Sequence, residues 1–333
     1  MTTDRSPHDD KPIAVGVIGV GSMGEKHARV YSELRDVDLV GVADLDRTLA
    51  RSVAMAHGTT VQSFEALIEH CDAVSVAVPT HAHEETVTRC LEAGVDVLVE
   101  KPIAPSVEAG RRLSRRATEL DRVLQVGHIE RFNPAVQAVA DIIGDLEVLA
   151  IEAERLGPPV DRTARDGVTL DLMIHDVDVI HSLLSGEEPT SIAATGTEDG
   201  QYATAAMQYD DGVVATVTAS RITQKKVRHL TITARECLVE VDYLDQTVLI
   251  HRESYPEYVI DDGQNRYRHE SVVERPRVQN REPLRCELES FVEAVRTGTT
   301  PEVTAEDGIR ALETVQTIDR LTTDENELEV RVR

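Results

Sequence analysis

Apolar and polar positions change rhythm once along this chain. Up to about residue 125, short continuous apolar runs alternate with stretches whose apolar residues recur at helical spacing. "PIAVGVIGVGSMGEKHARVYSEL" opens as a β-rich run over 13–18, passes through glycines and continues helically to Leu34. "VDLVGVAD" follows as a second strand, then a helix over about 46–57, a short segment near Thr60–Val61 and "SFEALIEH" as helix. The cycle repeats with strand "DAVSVAVP", helix "HAHEETVTRCLEAG", strand "VDVLVE", a helix over about 106–120 and strand "VLQV". Unalternating apolar strands separated by amphipathic helices predict a parallel sheet covered on both faces.

Beyond residue 125 the pattern is different. "NPAVQAVADII" reads as helix, "LEVLAIEAERLG" as strand, and "VTLDLMIHDVDVIHSLLSG" as a strongly apolar helix closed by Gly186. Six β-runs follow from 189 to about 260, and Asp211-Gly212 between two of them signals a hairpin. Short links of this kind predict mostly antiparallel pairing. Residues 261–283, rich in Arg, Glu, Gln and Asn, read as an irregular connector. Helices are predicted at about 284–297 and 305–322, with "ELEVRVR" as a last strand. The predicted organisation is a polar tail over 1–11, an α/β Rossmann domain over 12–125, and an α+β domain over 126–333. No internal repeat or low-complexity tract interrupts it.

The first glycine-rich turn changes this picture from architecture to chemistry. Gly19-Val20-Gly21-Ser22-Met23-Gly24 lies between a strand and a helix, and Asp44 stands 20 residues beyond Gly24 at the end of the next strand. That is the context of the dinucleotide fingerprint. Gly19 permits the tight turn, Gly21 lets a pyrophosphate approach the backbone, and Gly24 lets helix and strand pack closely. The helix N-terminus offers N–H groups and positive dipole to the phosphates. Asp44 can accept hydrogen bonds from ribose hydroxyls and disfavours a 2′-phosphate, which points to NAD over NADP. Arg47, three residues on, reads as an exposed helix arginine.

Composition narrows the partners. Sixty acids against 35 Lys and Arg give a formal charge of −25, which opposes binding to nucleic acid or an anionic membrane. The acids are spread along the chain, as in proteins of salt-loving organisms, where salt screens self-repulsion. No apolar run approaches the ~20 residues of a membrane span. "MTTDRSPHDDK" lacks the apolar core of a signal peptide, so a cytoplasmic protein is expected. Cys71, Cys90, Cys237 and Cys286 have no CxxC spacing, and neither zinc nor a disulfide framework is expected.

Only five lysines are present, and one of them, Lys101, follows Glu100 directly at the end of an apolar strand and precedes Pro102. Asp171 and His175 are four apart on one helical face, and Asp178 continues it. A metal site from these three lacks the HExxH signature, so none is expected.

In combination, "GVIGVGSMGEKHARVY", "EKP", "VGHIERFNPAV" and "GVTLDLMIHDVDV" resemble, in order and spacing, the Gfo/Idh/MocA oxidoreductases over nearly the whole chain. The resemblance implies that the second domain carries an open-faced sheet, and that Lys101, Asp171 and His175 face the reacting carbon of a sugar or cyclitol in an interdomain cleft. Cofactor contacts are then expected at Gly19, Gly21, Ser22, Met23, Gly24, Asp44, Pro79, Thr80, His81, Glu100 and Lys101. Oxidising a secondary alcohol requires removal of the hydroxyl proton and stabilisation of the oxygen. Either His175 or Lys101 can take the proton, with Asp171 orienting the pair. By the same resemblance a homodimer or homotetramer forms through the open sheet face.

Within the family, "GHIERFNPAV" and "RLGPPVDRTARDGVTLDLMIHDVDV" most resemble the sugar-nucleotide branch, which oxidises the 3-hydroxyl of UDP-N-acetylglucosamine or its uronic acid. Arg131 and Asn133 are then expected near the sugar, and Arg155, Arg162 and Arg165 near the diphosphate, because guanidinium forks match phosphate oxygens. Glu130 and Glu154 can equally pair with these arginines inside the fold. A free polyol or sugar dehydrogenase is the alternative reading. A reductase of C=N bonds or tetrapyrroles would not need the Asp171/His175 pair. A non-catalytic nucleotide-binding regulator would be expected to have lost Lys101 or His175.

Overall fold

Apolar side chains on both faces of consecutive strands place the first sheet inside helices. The computed structural model describes residues 11–159, 167–253, 257–261, 264–268, 271–323 and 329–331. In the first unit, β1 (Ile13–Ile18), β2 (Val37–Ala43), β3 (Ala73–Val76), β4 (Asp96–Glu100) and β5 (Leu124–Gly127) form a parallel sheet in the order β2-β1-β3-β4-β5. Val61 bridges Val42 beside β2, so the Thr60–Val61 segment stands where a Rossmann sheet has its outermost strand. The helices are α1 (Ser22–Glu33), α2 (Arg47–Ala56), α3 (Phe64–Ile68), α4 (His83–Glu92) and α5 (Val107–Glu119).

Their N-termini differ in a way that bears on function. Asp46, Ser63 and Ser106 cap α2, α3 and α5 through side-chain oxygens that accept from backbone N–H groups. The α1 N-cap is Gly21, which has no side chain to do this.

In the second unit, α6 (Pro134–Ile143) precedes β6 (Val148–Leu156), and α7 (Ile174–Leu183) follows a π-helical turn over Thr169–Met173. Strands β7 (Ser191–Gly196), β8 (Tyr202–Gln208), β9 (Val214–Ser220), β10 (Val227–Ala234), β11 (Leu238–Asp242) and β12 (Thr247–Glu253) come next. Then follow β13 (Glu257–Asp261), β14 (Gln264–Arg268), β15 (Ser271–Glu274), α8 (Pro283–Thr297), α9 (Ala305–Thr323) and β16 (Glu329–Arg331). The main sheet runs β15-β12-β11-β10-β6-β9-β8-β7-β16. Its pairs are antiparallel except β6 with β9. Asp211-Gly212 makes the predicted hairpin between β8 and β9, with Gly212 at φ +88° and Asp211 Oδ1 accepting from Val213 N.

Alternation gives this sheet two unlike faces. Ile151, Ala153, Ala205, Met207, Val217, Leu230, Ile232 and Val239 are buried on one, against which α6 and α7 pack. The other carries Glu152, Glu154, Ala206, Tyr202, Val214 and Glu240, all exposed. It is the open face that the sequence led one to expect.

Two expectations change. Residues 261–283 hold β14 and β15 where an irregular connector was predicted: β14 pairs with β13 in a separate ribbon and β15 extends the main sheet at its edge. β14 (QNRYR) is polar and β15 (SVVE) is too short for alternation to stand out, so periodicity does not reveal them. The predicted division at 125/126 also differs from the folded one. The first unit extends through Phe132 and takes back Glu282–Glu313, while the second comprises Asn133–Arg281 and Thr314–Arg333. Leu284, Leu288, Phe291, Val292 and Val295 of α8 share one hydrophobic core with Ile13, Val15, Val30 and Tyr31.

Candidate active site

The glycines of the first turn show what each position tolerates. A Cβ at Gly24 would lie 1.8 Å from the Gly19 carbonyl oxygen, and Gly19 itself sits at φ +83° with Ala77 O 2.7 Å from its would-be Cβ. Both are needed for strand, turn and helix to close. Gly21 is the opposite case, with nothing within 4 Å of its would-be Cβ. The open approach to the backbone is therefore at the α1 N-terminus, which Gly21, Ser22 and Met23 begin. Uncapped N–H groups, positive dipole and open space together fit a pyrophosphate.

Asp44, just past β2, is fixed by backbone donors. Its Oδ2 accepts from Val20 N (2.7 Å) and its Oδ1 from Asp46 N (2.8 Å). A carboxylate has about four acceptor positions, so two backbone donors orient it without exhausting it. The residues present thus fit a dinucleotide along this edge: phosphates on α1 and a ribose on Asp44.

Further along the same edge, Pro79 leads into a short 3₁₀ turn, Thr80–Ala82, that includes His81. Glu100 closes β4, and Lys101 follows with a cis bond to Pro102. Buried His83 braces this corner, its two ring nitrogens lying 2.9 Å from the carbonyl oxygens of Pro102 and Val78. Burial lowers its pKa, opposed by these carbonyls and by the Glu100 charge. Glu100 is itself bound to His27 Nε2 at 3.0 Å. Burial pushes the Glu100 carboxyl up, but the His27 hydrogen bond and the charges of His27, Lys101 and His83 outweigh it and hold it below the usual range.

The second unit holds the other candidates. Asp171 lies in the π-helical turn, where Ile174 N–H bonds back to Thr169 O, and its carboxylate accepts from the Arg221 guanidinium. Such turns often mark functional segments of helices. His175, half-buried, is the second residue of the regular helix that follows it from Ile174. Asp176, Asp178 and His181 are buried deeper in α7. Arg155 on β6 forms a buried fork with Asp176, at 2.6 and 2.8 Å, and lies 5.5 Å over the Tyr243 ring.

The residues expected at the sugar and diphosphate are therefore placed unevenly. Arg155 is engaged in this buried ion pair. Asn133 caps α6 by accepting from Ala135 N and donates to Tyr243 O, both at 3.1 Å. Arg131 lies in the first unit, 3.5 Å from Asp307. Arg162 and Arg165 fall outside the described residues. Among the described residues, no cluster of three or more His, Cys, Asp or Glu is arranged to hold a metal. The described helices include none long and apolar enough to cross a membrane. Burial pushes the Cys71 and Cys90 thiols up to about 12, which disfavours the thiolate form.

Two participants were missed in the sequence. His27 carries a signal there: it is a polar residue on the α1 face that also presents Gly24, Ala28 and Tyr31. Arg221 carries the one already applied to Lys101, a cation directly after an apolar strand, "VVATVTASR".

Comparison with known proteins agrees with this fold. Residues 13–128 match the oxidoreductase family described by an NAD-binding Rossmann fold, and residues 140–238 match the GFO/IDH/MocA C-terminal domain. The UDP-N-acetylglucosamine 3-dehydrogenase of Acidithiobacillus ferrooxidans is 34% identical over 285 residues, 84% of this chain and 88% of the relative. A crystal structure of that enzyme superposes with a TM-score of 0.83 at 32% identity, covering 93% of this chain and 98% of the other. Inositol 2-dehydrogenase of Rhizobium meliloti is also 34% identical, but over 192 residues, 55% of this chain and 58% of the relative. This chain belongs to the Gfo/Idh/MocA family and is an NAD-dependent dehydrogenase acting on a CH–OH group.

Proposed function

We propose that the substrate is a UDP-sugar, most closely UDP-N-acetylglucosamine, oxidised at its 3-hydroxyl to a ketone. The observation that carries this is the similarity to a UDP-N-acetylglucosamine 3-dehydrogenase across 84% of this chain. NAD, when bound, supplies the hydride acceptor. The chain's residues then handle the proton and the oxygen. In this reading His175 accepts the hydroxyl proton, and Lys101 donates a hydrogen bond to the same oxygen as charge develops on it. Asp171 orients the pair, and Arg221 neutralises and fixes Asp171 in turn. Arg162 and Arg165 keep their proposed role at the diphosphate, whereas the partners of Arg155 and Asn133 favour structural roles for those two.

The second reading, oxidation of a free cyclitol, rests on the equal identity to an inositol 2-dehydrogenase over a shorter span. Incubation with NAD and a panel of UDP-sugars, inositols and free sugars separates the two by NADH formation and product mass. Turnover of UDP-N-acetylglucosamine with loss of two mass units is the expected result, and turnover of inositol alone overturns it. Lys101→Met and His175→Leu should each lower turnover by at least a hundredfold while NAD affinity stays within a few-fold. Near-normal rates in either variant overturn the catalytic assignment.

The open sheet face suits a second copy of this chain, since Tyr202, Val214 and Val273 are exposed along it together with the small Ala193 and Ala206. Sedimentation of the full chain should give a dimer or tetramer that Val214→Lys weakens.

A further inference from the structure

Polar side chains buried under α1 extend the cofactor edge inward. His27 Nε2 lies 3.0 Å from Glu100 Oε1, His27 Nδ1 3.0 Å from Ser75 Oγ, and Ser75 Oγ 2.8 Å from the Tyr31 hydroxyl. His27, Ser75 and Tyr31 are fully buried, on α1, β3 and α1 respectively. The bonds run inward from Glu100 to the fully buried Tyr31 hydroxyl, an arrangement suited to holding Glu100 in place.

One consistent set of donors runs along the chain. Burial raises the Tyr31 pKa, against the Ser75 hydrogen bond, so the phenol keeps its proton and can donate it to Ser75. The Ser75 hydroxyl can then donate to Nδ1, which leaves the ring hydrogen on Nε2, facing the Glu100 carboxylate. On the other side, Gly127 of β5 pairs with Glu100, and a Cβ there would come within 3.3 Å of the carboxyl carbon. Glu100 therefore has one built position.

The titratable groups around it are His27 from α1, His83 from α4 and the adjoining Lys101, while Glu287 of α8 acts on Tyr31. A dinucleotide with its phosphates on α1 and its adenosine ribose on Asp44, after β2, directs its nicotinamide half the other way. In the order β2-β1-β3-β4 that is toward the ends of β3 and β4.

We propose that His27 is a positioning residue for the cofactor: it fixes the Glu100 carboxylate in its ionised form, and that charge favours the cationic oxidised nicotinamide over the neutral reduced ring. The proposal rests on NAD binding alone and is independent of the sugar, so it stands or falls separately from the substrate reading.

The test is the ratio of NAD+ to NADH affinity, by calorimetry and NADH fluorescence, in the full chain and four variants. Glu100→Gln should weaken NAD+ relative to NADH by about tenfold. His27→Leu should do the same at neutral pH, because a buried carboxyl stripped of its donor takes up a proton, and raising the pH should restore the ratio. His27→Gln, whose amide can still donate, should recover most of it. The His27→Leu/Glu100→Gln double variant should match Glu100→Gln alone. Equal weakening of both cofactor forms in His27→Leu, or additive effects in the double variant, overturns the proposal. Should His27→Leu fail to fold by circular dichroism, an unchanged ratio in Glu100→Gln overturns it instead.

Discussion

The two units hold carboxylates by opposite means. In the first, Glu100 is gripped by an imidazole whose hydrogen bonds lead back through Ser75 to Tyr31. In the second, Asp176 and Asp171 each face an arginine, from β6 and from just beyond β9. A guanidinium cancels the charge it binds and fixes both carboxylate oxygens, so it makes a joint. A chain of hydroxyl and imidazole groups fixes position but adds no permanent cation, so the carboxylate can still express its charge to a ligand. The first arrangement suits a group that must act electrostatically, the second a helix that must not shift. Asp307, in the first unit, lies between these extremes, with Arg310 at 3.0 Å, Arg131 at 3.5 Å and Thr304 donating from both backbone and hydroxyl.

Breaking the most buried joint should have the largest effect. Arg155→Ala removes the guanidinium fork from the buried Asp176 carboxylate and should cost about 3–5 kcal/mol in denaturant unfolding. Arg155→Met with Asp176→Leu should lie much closer to the wild type, because no charge is left stranded. If both variants lose the same stability, the ion pair is not what the position requires.

Arg221→Ala probes the same kind of joint where it meets solvent. The Asp171 side chain is 44% exposed, so the loss of stability should be about 1 kcal/mol or less. Turnover should nevertheless fall roughly tenfold through kcat more than KM, with partial rescue by Arg221→Lys. Equal loss of stability and activity would make Arg221 a purely structural residue.

The smallest effect concerns acid. Burial raises the Asp307 carboxyl, but the Arg131 charge, the Thr304 donors and the Arg310 charge outweigh it and depress its pKa. A carboxylate depressed in the folded state contributes stability that is complete above its unfolded pKa of about 3.9 and is lost as pH falls through the folded value. Asp307→Asn should therefore be less stable by about 1 kcal/mol at neutral pH yet lose less on acidification below about pH 4. Parallel acid-unfolding curves would show that another carboxylate governs that range.

Different parts of this molecule were legible to different degrees. The parallel sheet could be read because both its faces are buried, so each strand is a continuous apolar word. The glycine turn could be read because sterics act within a few residues: Gly24 meets Gly19 O, five positions away. The antiparallel strands of the second unit followed from alternation against one covered face. Beyond these the local signal ends. Strands β13 to β15 are placed by backbone pairing, which composition does not record. Helix α8 has an amphipathic face that states it must pack, but not that it packs in the first unit, some 270 residues from Ile13 in sequence. Arg155 and Asn133 looked like ligand contacts because an arginine or asparagine in sequence carries chemistry without a partner. Their partners, Asp176 and Tyr243, stand 21 and 110 residues away.

What the sequence determined by itself was therefore whatever depends on period and nearby sterics: the fold class, the order of elements, the dinucleotide turn, and the rarity of Lys101 at a strand end. Only the tertiary structure decided which charges are joints and which are free to act, because burial and partnership arise between residues distant in the chain. Glu100 shows the division most plainly. Its place beside Lys101 was visible in a ten-residue stretch, but the His27–Ser75–Tyr31 chain behind it exists only once α1, β3 and β4 lie side by side.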